Sequence, residues 1–555
     1  MESNMKAKYI SLSVILIILC SAITGFAVIN RQYEYMIVTG DTLTSFSQSS
    51  LSHLYLYKYD SNTESWDMIP FQFDEANSKK KEMRYFSEPD SMQKKLDDDD
   101  ELVFMVDDLG DQADSSTWME GMDSTRYEIE LVDPLTGESG YLYLYRSDDS
   151  TLMVPNSYEM VYDSLNDRIE TTNYTIQFGR DESDHTGQMS GVYIKNGSGV
   201  DIFDRIKIRA FGMFLFWRID LNENTINAKN AYAKVGPVRI IRNMDGEFKL
   251  NLLDLKEAFT QTLFFYPWSG AFRIADIPIG EVTKIGAQVY TIRVSWDMNE
   301  NATGMKFYSE YNPDGILIDA AEDVFNPTVN PGELNWSMAT GDQGTLVNVF
   351  NVPNFGDYKK LYYFDYPSGD KTGHREEDYD KDTGDMKSYG DNGFILEDDL
   401  EDYIDEDTNL DIVYYNFFLP ANCIYDEASQ LAENLKNPLE LFTRVQKYVA
   451  PVTQVAASDR LVPDDFQLFQ NYPNPFNPYT TISFNISTDL HVKLSIYSAH
   501  GSLVTDLVDA SLAKGYHSYR WDGRDSYGNS VPTGLYLGKL TSGVNSATIK
   551  IMLIK

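Results

Sequence analysis

Apolar residues alternate with polar ones along much of the chain, with the period of two expected of half-buried strands. LYLYKYD (Leu54–Asp60), YLYLYR (Tyr141–Arg146), VYTIRVSWDM (Val289–Met298) and IVYYNFFL (Ile412–Leu419) all carry this pattern in β-branched and aromatic residues. Ile206–Leu221 (IKIRAFGMFLFWRIDL) is long for one strand, and Gly212 offers a place for it to bend. Helical periodicity is confined to DEASQLAENL, Asp426–Leu435, where Ala428, Leu431, Ala432 and Leu435 share a face. Pro438 then separates it from a second predicted short helix, LELFTRVQKYV. Near the C-terminus TTISFNI (Thr480–Ile486), HVKLSIYS and the closing ATIKIMLIK alternate again, with turn chemistry at Trp521-Asp522-Gly523 and Tyr527-Gly528-Asn529. The expected fold class is therefore mainly β. It comprises a large β-sandwich or supersandwich body with a short helical segment near its end, then a small sandwich.

A length of 555 residues exceeds one ordinary core, so two to four folding units are expected. Charge locates the main boundary. From Asp464 onward seven acids (Asp464, Asp465, Asp489, Asp506, Asp509, Asp522, Asp525) balance seven bases (Lys493, Lys514, Arg520, Arg524, Lys539, Lys550, Lys555), so residues 1–463 carry the whole formal charge of −39. A body this acidic repels phosphate backbones, which argues against a nucleic-acid partner. At the N-terminus Lys6 and Lys8 precede the apolar run Ile10–Cys20, and Gly25-Phe26-Ala27 supplies small residues at −3 and −1. This reads as a secretory signal over residues 1–27, cleaved after Ala27, with no membrane span thereafter. Uncleaved, Tyr9–Ile29 would just span a bilayer. Cleavage would leave Cys423 as the one thiol, so no intrachain disulfide staples the exported protein.

The body, residues 28–450, is followed by a linker and proline-rich leader, residues 451–477. The leader reads as a stiff spacer, because prolines fix φ and remove backbone donors, so that it pairs with neither neighbouring sheet. YPNPFNP, then T.I.F.I, V.L.IY…G..V, the G.H…WDG run, G..V.TG.Y and a Lys-ending strand resemble the type IX secretion C-terminal sorting domain over residues 466–555. That domain is similar to the immunoglobulin-like domain of flagellar hook-capping proteins. The resemblance implies recognition by the type IX secretion machinery of a Gram-negative, Bacteroidota-like cell. Export would then run through the periplasm to the outer surface or the medium.

Within the body, AKVGPVRIIRN (Ala233–Asn243) resembles segments of galactose-mutarotase-like supersandwich proteins. Catalytic motifs are scarce: there is no HExxH, Walker loop, GxSxG or CxxC pair, and His53, His185 and His374 lack metal-ligand spacing. Two acidic stretches stand out. LDDDDELVFMVDDLGDQAD (Leu96–Asp114) surrounds a predicted strand, with Asp97–Asp111 as a secondary calcium candidate. In HREEDYDKDTGDMKSYGDNG, Asp378, Asp380 and Asp382 alternate and Asp385 follows Gly384, a spacing that can aim several oxygens at one calcium ion. The EF-hand pattern itself fails, since Thr383 stands where Gly is required and Tyr389 where the bidentate Glu belongs. Trp66, Trp118, Trp217, Trp268, Trp296 and Trp336 are read mostly as core, with one or two free to stack a sugar. The resulting expectation is a secreted or surface protein that binds an extracellular glycan or other ligand. A carbohydrate-active lyase or hydrolase, and a structural or adhesin protein, are the alternatives.

Overall fold

A computed structural model describes residues 29–77, 85, 94–179, 187–222, 226–250, 255–277, 279–284, 286–366, 388–448, 466–471, 473–476, 479–498, 502–543 and 545–554. The chain divides into two compact units, Met1–Pro451 and Val452–Lys555. The protein is mainly β, built of antiparallel sheets with few helices.

The larger unit is organised around a five-stranded sheet packed on a nine-stranded one. The five run in the order Trp217–Leu221, Phe203–Phe214, Ala287–Met298, Ser388–Leu396, Lys359–Tyr366. Alternation does the packing. Ile292, Val294 and Trp296 point inward with Phe394, Leu396 and Leu361, against Phe265, Leu346, Phe350, Ile412, Tyr414 and Phe418 of the larger sheet. Fully burying each such side chain contributes about 1.5–3 kcal/mol. The core also holds a polar seam: Asn416 Nδ2 donates to Asn348 Oδ1 (2.7 Å), and Ser337 Oγ donates to Asn392 Oδ1 (2.8 Å).

The N-terminal part of this unit forms a second core between two smaller sheets. Val38, Leu102 and Phe104 pack on Leu56, Ile129, Leu131, Leu142 and Leu144. The opposite face of the Glu101–Met105 strand, Val103 and Met105, rests on Val238 and Tyr266, in turns that join strands of the nine-stranded sheet. Arg239 is fully buried in this seam. Its Nε donates to Asp74 Oδ2 and its Nη2 to Glu101 Oε2, both at 2.7 Å. Lys234 Nζ reaches the other Asp74 oxygen at 3.2 Å. Gln72 Oε1 accepts from the Val238 and Arg239 backbone N–H groups (3.0 and 2.8 Å). Burial pushes the Asp74 carboxyl up, but Arg239 and Lys234 outweigh it and hold the group below its usual range.

Three local expectations are corrected. The stretch after Pro438 is a strand, Glu440–Lys447, paired along its whole length with Thr125–Val132. Its apolar spacing also fits a helix, but an open sheet edge offered a ladder, and Arg444 bonds Glu128 (3.1 Å) and Glu130 (2.6 Å) on that neighbour. The Ile206–Leu221 pattern is a hairpin: Phe203–Phe214 turns at Leu215-Phe216, with Leu215 at φ 54°, and returns as Trp217–Leu221. No Asn-Gly or similar pair announces that turn. Gly212 sits at a register shift against the Ala287–Met298 strand, where a Cβ would lie 2.4 Å from Gln288 O. The Asp426–Leu435 helix forms as Tyr425–Lys436, its buried face Ala428, Leu431 and Ala432.

The third correction concerns the leader. The smaller unit is a sandwich of a three-stranded and a four-stranded sheet around Ile482, Phe484, Leu494, Ile496, Trp521 and Ile551. The leader is part of it. Phe476 is 2% exposed and packs on Trp521 with ring centroids 5.3 Å apart. Its N–H donates to Met552 O (2.9 Å), and its carbonyl accepts from Ile554 N (3.1 Å). Where proline removes backbone donors, asparagine side chains replace them. Asn474 Oδ1 accepts from Met552 N (2.7 Å), and its Nδ2 donates to Lys550 O (3.0 Å). Buried Asn471 donates to Thr480 Oγ1 (2.9 Å). The rule that proline cannot join a ladder holds, but it does not extend to the residues between prolines.

Candidate functional site

If Ile292, Val294 and Trp296 face the core, then Arg293, Ser295 and Asp297 face the other way. Register extends this outward face across the sheet. Arg205 stands opposite Asp297, Lys207 opposite Ser295 and Arg209 opposite Arg293. On the far side Ser295 pairs with Gly393, which pairs with Tyr362, and Asp391 pairs with Phe364. Lys207 Nζ lies 2.8 Å from Asp297 Oδ2 and 4.0 Å from Asp391 Oδ2. Arg293 Nη1 donates to the Tyr362 hydroxyl at 2.9 Å. Lys207, Arg209, Arg293, Ser295, Asp297 and Asp391 are each no more than 2% exposed. Burying so many charges is a poor route to stability, since their desolvation offsets most of the attraction gained. These groups are closed to solvent, and the part of this face that a ligand can reach begins nearer the hairpin.

Towards the hairpin the same face becomes aromatic. Phe211 stacks on Tyr290 (5.4 Å, 26°), and the Arg218 guanidinium lies 4.1 Å from the Phe211 ring centre. Beyond them the turn projects Leu215, Phe216 and Trp217 into solvent, exposed by 71%, 93% and 62%. A buried charged network thus gives way to an exposed aromatic tip. Ring faces with polar neighbours are what a sugar ring, apolar on one face and hydroxylated at its rim, can engage. Sequence alternation implied the charged positions at 205–209 and 293–297, but nothing in it showed that the two strands are neighbours.

The remaining tryptophans are engaged elsewhere. Trp296 and Trp336 are core. Trp66 and Trp118 enclose buried Arg126, whose guanidinium sits 4.3 Å from the Trp118 ring and 4.5 Å from Tyr143 and donates to Tyr145 OH at 2.6 Å. Trp268 packs edge-on to Tyr33. His53 lies on the surface 3.3 Å from Asp148, while His185 and His374 lie outside the described residues. Burial raises the Cys423 thiol to about 11, away from the reactive range.

Asp378, Asp380, Asp382 and Asp385 also lie outside the described residues, in the connection between Lys359–Tyr366 and Ser388–Leu396. In the first acidic stretch the carboxylates serve separate turns. Asp100 accepts from Asp97 N (3.0 Å), Asp108 from the Tyr158 hydroxyl (2.9 Å) and Asp111 from Ser61 N (2.8 Å). Burial pushes Asp100 and Asp108 up to about 6. Among the described residues no three His, Cys, Asp or Glu side chains converge to hold a metal.

The smaller unit is an immunoglobulin-like β-sandwich. Residues 478–545 match the FlgD Ig-like domain. No curated protein matches the chain. Among solved structures it is similar to a glycosyl hydrolase family 38 protein from Enterococcus faecalis, at TM-score 0.38 and 7% identity over 88% of this chain and 56% of that one. An alpha-mannosidase from Enterococcus faecalis V583 gives TM-score 0.31 and 9% identity over 72% and 49%. Dimeric latent PorU from Porphyromonas gingivalis gives 0.15 and 13% over 84% and 36%. The chain spans about half the length of the first two structures, 56% and 49%. Scores this low leave each overlay short of a shared fold. Among the described residues no helix is long and apolar enough to cross a membrane.

Proposed function

We propose that the protein is a type IX secretion cargo that acts at the outer cell surface or in the medium, where its body binds an extracellular glycan. The export half rests on the Ig-like C-terminal unit, whose charge balance and motif series set it apart from an acidic body. Deleting residues 466–555 is expected to trap the body in the periplasm. Cell fractionation checks this, and normal arrival of the truncated protein at the surface would overturn it.

The observation that carries the glycan half is the exposed aromatic tip of the hairpin, Phe216 and Trp217, at the end of this sheet. A Phe216→Ala, Trp217→Ala double variant is expected to weaken oligosaccharide binding about tenfold, since a ring contact contributes on the order of 1 kcal/mol beyond area burial. Both side chains are exposed, so the variant should fold with an unchanged melting midpoint. A glycan array and titration calorimetry supply the measurement. Equal affinity in the variant would remove the tip from the site.

A further inference from the structure

Three strands of the five-stranded sheet bring one amine and two carboxyls together in a place closed to water. Lys207 lies on the Phe203–Phe214 strand, Asp297 on Ala287–Met298 and Asp391 on Ser388–Leu396. Lys207 Nζ stands 2.8 Å from Asp297 Oδ2 and 4.0 Å from Asp391 Oδ2, and it donates to Ser388 Oγ at 3.5 Å. Lys207 is 2% exposed and both aspartates 0%. Trp296 pairs with Asn392, which leaves Asp297 and Asp391 side by side at the next step of the ladder. Like charges placed this way repel, and two carboxyls at one site relieve the repulsion by holding a proton between them. Arg205, across the ladder from Asp297, has its Nε 3.9 Å from a different carboxylate, Asp204.

Such an arrangement is suited to condensation as well as to ion pairing. Burial strips the hydration from ammonium and carboxylate alike, which favours the neutral amine and the neutral acid. A nitrogen 2.8 Å from one carboxyl oxygen is no more than one bond length further from the carbon, close to the roughly 3–3.5 Å of reacting atoms poised for attack. Groups held in that relation react as though at effective concentrations of about 10⁵–10⁸ M. Forming an amide also removes two charges from the interior.

We propose that Lys207 and Asp297 join in an intramolecular isopeptide bond, with Asp391 as the proton carrier. Lys207 first passes a proton to the Asp391 carboxylate. The lone pair of the neutral amine then attacks Cγ of protonated Asp297, forming the N–C bond while the carbonyl π pair moves onto oxygen. The carbonyl re-forms as the C–OH bond breaks. The departing hydroxyl takes the proton held by Asp391 and leaves as water, and the nitrogen gives its surplus proton back to Asp391. The products are a secondary amide, one water and a neutral Asp391, so the balance closes without an external reagent. The bond would tie two neighbouring strands covalently, a role that disulfides fill elsewhere. Cys423, the free cysteine of the described residues, offers no such staple. This inference is independent of the glycan reading.

Mass spectrometry of the purified full chain, denatured and digested with trypsin, supplies the test. The fragments Ile206–Arg209 and Val294–Lys306 are expected as one linked species, lighter than their sum by a single water, about 18 Da. Trypsin should not cut after Lys207. Lys207→Arg keeps a buried cation without the nucleophilic amine, and Asp391→Asn keeps the shape without the proton acceptor. Each is expected to lower the linked species at least tenfold. Should either variant fail to fold, the wild-type digest alone decides. Cleavage after Lys207 with Val294–Lys306 running unlinked in the wild type overturns the proposal. So does a link from Lys207 to Asp391, or a linked species at the wild-type level in Asp391→Asn.

Discussion

Arg239→Met is expected to destabilise the body by about 3–5 kcal/mol, the usual cost of removing one partner from a buried ion pair. Methionine approximates the length of the arginine stem, so the loss comes chiefly from charge rather than from a cavity. It leaves Asp74 and Glu101, at 1% and 5% exposure, facing each other with Lys234 as the one nearby cation described. The denaturant midpoint should fall with an unchanged slope. Adding Asp74→Asn and Glu101→Gln to the methionine variant should recover most of the loss, since the uncompensated charges are then gone. The sign of the pH effect follows from Asp74, whose folded-state pKa is depressed. Its contribution is complete above the unfolded value, near 3.9, and disappears as pH falls through the lower folded value. The gap between wild type and Arg239→Met should therefore narrow in acid. A single variant within 1 kcal/mol of wild type at pH 7 would show that this seam does not hold the small sheet to the large one.

Phe476→Ala should be nearly as damaging to the smaller unit, although the residue lies in a proline-rich leader. Truncating a buried phenylalanine costs about 3–5 kcal/mol, while a whole domain is commonly stable by about 5–15 kcal/mol. Much of the population would then be unfolded at growth temperature, and export should fail with it. Tyr527→Ala is the control: that side chain is 89% exposed, and its loss should stay within about 0.5 kcal/mol. Thermal melts of the isolated C-terminal unit and fractionation of cells read the two effects together. Were the leader only a spacer, Phe476→Ala would behave like the control.

That contrast shows what the sequence made legible. Period-two alternation found the strands, Val289–Met298 among them, because one face of each sheet is buried and the pattern records it. The helix at Tyr425–Lys436 was equally plain from its 3.6 period. Glu440–Lys447 was not, because its partner Thr125–Val132 lies some 310 residues earlier and no local pattern reports so distant an edge. The hairpin at Leu215-Phe216 was hidden by apolar turn residues, which an exposed tip permits only where solvent contact is tolerated. The candidate face was half visible: its charges could be read, but its geometry depends on the strands at 203–214, 287–298, 359–366 and 388–396 lying side by side.

The bridge between Phe476 and Leu553 is parallel, and direction matters when the chain is under tension. Traction on the segment before Phe476 pulls that strand toward its start, while traction beyond Leu553 pulls the other toward its end. In parallel strands those two pulls are opposed along one axis. The Phe476 backbone contacts and the Asn474 side-chain bonds to Lys550 and Met552 would therefore be sheared together instead of peeled one at a time. Forced unfolding is set by the height of the unfolding barrier rather than by equilibrium stability. The asparagine-stitched leader thus places the two ends of the Ig-like unit in a shear geometry, so that tension between them is borne by several bonds at once.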